Sequence, residues 1–273
     1  MVAFVEAKGV RIPAVGLGTF ELRGRDCARL VQQAIKLGYR HFDTAQMYGN
    51  EREVGEGVRA SGIKREEVFV VTKVSPENLA PRALERSVKD SVGQLRLGEI
   101  DLLLLHWPNK EVPLKDTIDA LVGVKRDGLA RQIGVSNYTV ALLEQADRLA
   151  EQRLVCNQIE MHPFLDQSKV IAACRALDMA VVAYAPIARG SAKYDAVLAR
   201  IGKAHGKSAA QVSLRYLVQR GIGVIPRTSR VERLSENINI FDFELSDEEM
   251  AQIGALARPD GRIVDWAWSP QWD

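Results

Sequence analysis

The 273-residue chain has little cysteine. Cys27, Cys156 and Cys174 are an odd number, and no C-x-x-C pair is present. That excludes a disulfide framework or a thiolate zinc site and makes a reducing cytoplasm the expected setting. Long apolar runs are also missing. The longest uncharged apolar stretches, residues 102–105 and 179–188, fall far short of the roughly 20 residues that cross a bilayer. The N-terminus MVAFVEAKG lacks the apolar core of a signal peptide, so no membrane partner is expected. The sequon Asn137-Tyr138-Thr139 then reads as a chance match. Charge of one sign is not in excess: 37 Lys and Arg face 35 Asp and Glu. A near-neutral balance excludes broad nucleic-acid binding, and any basic patch must be local. A third glycine is lacking in Gly16-Leu17-Gly18-Thr19-Phe20-Glu21, which counts against an open doubly wound dinucleotide fold.

Apolar residues make up 47% of the chain, ample for a large core. Eight short apolar runs occur at 15–18, 39–43, 68–74, 101–105, 130–135, 155–159, 180–184 and 223–225. They are rich in β-branched residues and do not alternate with polar ones, the pattern of strands buried on both faces. Helical segments separate them. Residues 25–37 carry apolar positions 27, 30, 31, 34 and 35 and end at Gly38. Residues 81–95 and 113–126 begin with a first-turn proline; 139–150 and 166–177 read similarly. Two further helices, about 194–205 and 208–220, precede the last strand. A final one, 246–257, opens on the capping box Ser246-Asp247-Glu248-Glu249. The first eleven residues, turning at Lys8-Gly9, form a hairpin. The expected α/β fold is therefore one domain, 1–273: a (β/α)8 TIM barrel with an N-terminal β-hairpin and extra C-terminal helices.

Barrel chemistry sits where the strands end. The polar residues there are Thr19, Asp43, Lys73, His106, Ser136 with Asn137, Gln158, Tyr184 and Arg227. Asp43, Lys73, His106 and Ser136 are 30, 33 and 30 residues apart, about one βα unit each. The spacing therefore sets an acid, a lysine and a histidine side by side. Tyr48 follows five residues after Asp43, in the loop over the mouth. A phenol donates at neutral pH, and a lysine held by Asp43 is expected to lower its pKa. Tyr48 is then a general acid for a carbonyl oxygen that His106 also orients. Such a set suits hydride addition to an aldehyde or ketone. One rival is a metal-dependent hydrolase using His41, Asp43 and His106; it leaves Lys73 and Tyr48 without a task and sets a metal beside an ammonium. His162 and His205, and in the favoured reading His41, are structural.

In sequence the chain resembles the aldo-keto reductases over essentially its full length, most of all the bacterial 2,5-diketogluconate and methylglyoxal reductase group. The segments that carry the resemblance are Gly16-Leu17-Gly18-Thr19-Phe20, Gly38-Tyr39-Arg40-His41-Phe42-Asp43-Thr44-Ala45, Tyr48-Gly49-Asn50-Glu51, Thr72-Lys73-Val74 and residues 101–108, ending His-Trp-Pro. Ile133-Gly134-Val135-Ser136-Asn137, Asn157-Gln158-Ile159-Glu160 and Ile225-Pro226-Arg227 continue the series. The resemblance implies a catalytic tetrad of Asp43, Tyr48, Lys73 and His106 and no metal. It implies NADPH as cofactor, with Ser136, Asn137 and Gln158 on the nicotinamide carboxamide and Tyr184 stacked on the ring; it also raises a second rival, a barrel that senses NADPH with little turnover. Gly18, Thr19 and Asp43 are counted with the cofactor contacts, and Pro186, Ile187, Arg189 and Gly190 with a loop over the pyrophosphate.

Beyond the last strand, Arg227, Arg230 and Arg233 recur every third residue, with hydroxyls at Thr228 and Ser229. Guanidiniums and hydroxyls at a helix N-terminus suit an anion, here the 2′-phosphate. Arg227 stands where relatives usually carry lysine and keeps the charge. Glu236 and Asn237 match positions that contact adenine. Phe20, Tyr48, His106 and Trp107 are expected to line the pocket of a small carbonyl substrate. Ser75 replaces a tryptophan common in relatives, and Ala185 a serine. Trp266, Trp268 and Trp272 either cover that pocket or pack the tail onto the barrel. No exposed apolar helix face demands a partner, so a monomer is expected.

Overall fold

A computed structural model describes residues 3–273; Met1 and Val2, at the start of the expected hairpin, lie outside them. Strand β1 (Phe4–Ala7) pairs antiparallel with β2 (Val10–Pro13). Lys8 and Gly9 both turn with positive φ, at 48° and 75°, as a two-residue hairpin requires. The parallel strands follow: β3 (Leu17–Gly18), β4 (His41–Asp43), β5 (Phe69–Val74), β6 (Ile100–Leu105), β7 (Ala130–Ser136), β8 (Leu154–Glu160), β9 (Ala180–Tyr184) and β10 (Gly223–Val224). Each pairs with the next in chain order. Parallel bridges Val15–Val224 and Gly18–Arg227 join the last to the first, with the Gly16 N–H donating to the Val224 carbonyl at 2.8 Å. The barrel is thus closed. A Cβ at position 18 would lie 2.7 Å from the Ile225 carbonyl oxygen, so closure itself requires Gly18.

The interior is a narrow apolar column of Val71, Leu102, Leu104, Cys156, Val182 and Ile225. Val5 and Ile12 of the hairpin pack into it, plugging the end where the strands begin. The opposite faces of the same strands pack against the surrounding helices. Helix α1 (Gly24–Lys36) buries Cys27, Leu30, Val31, Ala34 and Ile35, the stripe read from the sequence, and Gly38 at φ 101° ends it. Truncating Leu30 to alanine would cost about 2–5 kcal/mol.

Helix α2 (Glu51–Ala60) is a finding of the structure that the sequence pattern did not reveal. Two glycines depress its helix propensity, and its apolar stripe is only Val54 and Val58. Packing overrides that: a Cβ at Gly55 would sit 1.9 Å from the Leu95 carbonyl, so glycine is what lets α2 press against the end of α3 (Pro81–Leu95). The remaining helices are α4 (Leu114–Arg126), α5 (Val140–Leu149), α6 (Ser168–Ala176), α7 (Ala196–His205), α8 (Ala209–Gln219), α9 (Val231–Ile238) and α10 (Asp247–Gly254). Pro81 opens α3 as expected, whereas Pro113 caps α4 from one residue outside it. Ser246 and Glu249 form the expected capping box. Among the described residues no helix is long and apolar enough to cross a membrane.

Candidate active site

The C-terminal ends of neighbouring strands gather the polar residues. Gly18 pairs with Asp43, Lys73 with Leu104 and Ser136 with Gln158, so the side chains at one rim come from adjacent strands. The Lys73 side chain is fully buried. Its ammonium donates to Asp43 Oδ1 at 2.6 Å, to the Thr44 carbonyl at 2.8 Å and to Tyr48 Oη at 3.5 Å. All three protons of the ammonium therefore have an acceptor. Asp43 is held in turn: Gln158 Nε2 donates to its Oδ2 at 2.7 Å, while Thr19 donates through N–H and Oγ1 to its backbone carbonyl.

Tyr48 and His106 form the open side of this cluster. Their rings meet edge-on at 5.6 Å, and Phe20 meets Tyr48 at 5.1 Å from outside. The expected lowering of the Tyr48 pKa is not what the site gives. Burial, followed by the Asp43 carboxylate, holds the phenol well above its ordinary value. Tyr48 therefore keeps its proton through the neutral range. Since its oxygen accepts from Lys73, the hydroxyl proton is left for another acceptor. Burial, reinforced by Lys73, holds His106 well below the usual histidine range, so the imidazole is neutral. Among the described residues His106 Nδ1 has no hydrogen-bond partner. Burial draws the Lys73 ammonium down too, against the opposing pull of Asp43.

The second shelf of the rim is also continuous. Asn137 sits at φ 63° and donates to the His106 carbonyl at 3.0 Å and to Ser136 Oγ at 3.1 Å; its Oδ1 accepts the Tyr184 hydroxyl at 2.8 Å. Ser136 Oγ donates to the Gln158 carbonyl. This explains why the sequon asparagine is no modification site: it is buried and its amide is committed. Tyr184 is half-buried.

From Tyr184 the rim runs to the turn of Pro186, Ile187, Arg189 and Gly190, with the last two at φ 52° and 98°. It continues to the end of β10. There Thr228 is buried, while Arg227, Ser229, Arg230 and Arg233 are exposed. Helix α9 starts without a side-chain cap, leaving its first N–H groups for a ligand or water. Arg233 meets Glu236 at 2.6 Å, and Asn237 is buried beside it on α9. Arg227 also reaches across the mouth, donating to the Phe20 carbonyl at 3.1 Å. A dinucleotide fits this chain of groups. It offers a half-buried aromatic ring beside the tetrad at one end, and an uncapped helix N-terminus with exposed guanidiniums at the other.

Three of the pocket residues, Phe20, Tyr48 and His106, face one another. Trp107 is buried, because Trp268 and Trp272 of the tail lie edge-on against it at 5.0 and 6.1 Å. The open question about the tail is thereby answered in part: it folds onto the residue next to His106. Ser75 is buried, its N–H donating to Gln46 Oε1, and Ala185 takes φ 50°. His41 bonds to the Pro13 carbonyl, His205 to Glu249 and His162 to Glu160, as structural histidines do. Among the described residues no three His, Cys, Asp or Glu side chains gather as a metal site; His41 is bonded to the Pro13 carbonyl and Asp43 to the Lys73 ammonium. The residue that sequence reasoning missed is Glu160. Its signal was its place two residues after Gln158, on the same face of β8.

Comparison with known proteins gives a consistent result. A family model described as "Aldo/keto reductase family" matches residues 14–258. "Methylglyoxal reductase DkgB" of Escherichia coli O157:H7 is 38% identical over 96% of this chain and 99% of its own. A crystal structure described as that of a 2,5-diketo-D-gluconic acid reductase B superposes with a TM-score of 0.98 at 47% identity, covering 100% of this chain and 98% of that one. A Bombyx mori aldo-keto reductase in complex with NADP superposes at 0.89 with 33% identity, covering 97% and 95%.

Proposed function

The chain belongs to the aldo/keto reductase family and is an oxidoreductase, and from that premise we propose that it uses NADPH to reduce small aldehydes and ketones to alcohols. Dicarbonyls of the methylglyoxal and 2,5-diketogluconate kind are the substrates of choice, since those are the ones its relatives are named for. The observation that carries the reading is the triply satisfied Lys73 ammonium bonded to both Asp43 and Tyr48.

Bound NADPH supplies the hydride. Ser136, Asn137 and Gln158 would hold its carboxamide and Tyr184 its ring. Pro186, Ile187, Arg189 and Gly190 would line the pyrophosphate, Gly18 and Thr19 would border it, and Arg227, Thr228, Ser229 and Arg233 would take the 2′-phosphate. Glu236 and Asn237 would meet the adenine. A carbonyl oxygen placed between Tyr48 and His106 receives two hydrogen bonds, one from the phenol and one from the neutral imidazole. As negative charge grows on that oxygen, Tyr48 passes its proton across. The phenolate left behind lies against Lys73, whose charge stabilises it only at that moment. Asp43 keeps Lys73 charged throughout. Differential stabilisation of this kind raises kcat rather than mere binding.

The test is NADPH consumption at about 340 nm with methylglyoxal, 2,5-diketogluconate and an aromatic aldehyde, in EDTA. Turnover insensitive to EDTA is expected. NADPH binding without turnover of any carbonyl would overturn the proposal in favour of a sensor.

A further inference from the structure

We propose that Glu160 is the anchor of the C-terminal tail and, through the tail, sets which carbonyl side chains the site accepts. Glu160 ends β8, and its carboxylate is fully buried. A buried carboxylate must be compensated. Here the direct hydrogen bonds come from backbone amides, with the Arg262 guanidinium a nearby countercharge. The N–H of Ile263 donates to Oε1 at 2.7 Å and the N–H of Val264 to Oε2 at 2.8 Å, with His162 Nε2 at 3.0 Å from Oε1. Two successive amides converging on one carboxylate form a bidentate, charge-assisted clamp.

What the clamp holds has no regular secondary structure of its own: residues 261–273 form neither helix nor strand. Its shape rests on side chains. The Arg262 guanidinium lies 3.6 Å over the Trp272 ring, and Trp272 Nε1 donates to Asp265 at 3.0 Å. At the far end Asp273 accepts the Val140 N–H at the start of α5. Between these two fixings Trp268 and Trp272 are laid against Trp107, the neighbour of His106. Gln158, two residues before Glu160, reaches Asp43. One strand end therefore ties the Asp43–Lys73 pair and the aromatic wall into a single frame. Glu160 touches neither the tetrad nor a substrate position, so it is a positioning residue.

This inference rests on the reductase reading only for its second half, and the test separates the two. Wild type, Glu160→Gln and Val264→Pro are compared. The proline removes one clamp donor from the tail side and leaves the barrel strand intact. Limited trypsin digestion reads the Arg262–Ile263 bond. Steady-state kinetics read kcat and KM for methylglyoxal and for p-nitrobenzaldehyde. In both variants cleavage is expected to accelerate about ten-fold or more, because it follows the opened population. The KM for the aromatic aldehyde should rise about three- to ten-fold through loss of aromatic contact. The kcat for methylglyoxal should stay within about two-fold of wild type. Unchanged cleavage in a folded variant would overturn the anchor. Faster cleavage with an unchanged ratio of the two KM values would overturn the control of specificity. A wild type that turns over no carbonyl would remove the reductase reading and the specificity half together, while trypsin would still decide the anchor.

Discussion

Replacing Asp43 by asparagine is the sharpest perturbation of the centre. In the native protein Lys73 is fully buried, with the Asp43 carboxylate 2.6 Å away. The substitution keeps the shape and removes the countercharge, leaving a buried ammonium with the Thr44 carbonyl and Tyr48 hydroxyl. Breaking a buried pair by removing one partner costs about 3–5 kcal/mol. At about 2–4 °C per kcal/mol for a chain of this size, the Tm should fall by roughly 6–20 °C at pH 7. The sign of the pH dependence follows from Lys73. Burial already lowers its pKa from the ordinary 10.5, and loss of Asp43 lowers it further. Between the folded value and 10.5 the unfolded chain binds more protons, so stability rises with pH. Asp43→Asn should therefore regain part of its lost Tm between pH 7 and pH 9.5, by more than wild type changes. The double variant Asp43→Asn, Lys73→Met should be more stable than Asp43→Asn alone at pH 7, because no charge is then stranded. The assay is thermal unfolding followed by circular dichroism. A Tm within about 2 °C of wild type at pH 7, or a change between pH 7 and pH 9.5 no more positive than that of wild type, would refute the reasoning.

Three further outcomes are expected. Tyr48→Phe removes the proton donor but keeps the ring between Phe20 and His106; kcat should drop about 10²- to 10⁴-fold while NADPH affinity by fluorescence titration is retained, and a near-normal rate would exclude Tyr48 as the acid. Arg233→Ala should weaken NADPH about ten- to hundred-fold and NADH far less, read from the two dissociation constants; equal weakening would remove the 2′-phosphate assignment. Because burial keeps His106 neutral from well below the ordinary 6.5 upward, kcat/KM should stay flat from pH 6 to pH 8, and a limb centred near 6.5 in that profile would contradict the neutral imidazole.

Much of the centre was legible in the chain because strand-end spacing is a one-dimensional quantity. Steps of 30 and 33 residues between Asp43, Lys73 and His106 are enough to set them on neighbouring strands, and the stripe of α1 follows from helical periodicity alone. The arginines after β10 were legible for the same reason. Helix α2 was not, because its glycines contradict local propensity and are explained only by the backbone of Leu95 pressing against Gly55. Trp107 was expected to line the pocket, but its packing against the tail was not foreseen. The tail that covers it arrives from more than 150 residues later in the chain.

The sequence by itself determined the barrel, the gathering of Asp43, Lys73 and His106 at one rim with Tyr48 beside them, and the basic turn that follows the last strand, because period, spacing and residue type are local properties. Only the tertiary structure decided the direction in which the Tyr48 pKa moves, since burial and the nearby Asp43 carboxylate both raise it. It alone paired Glu160 with backbone amides 103 and 104 residues away. Desolvation and long-range hydrogen bonds depend on which groups share a volume, and a linear pattern does not carry that quantity.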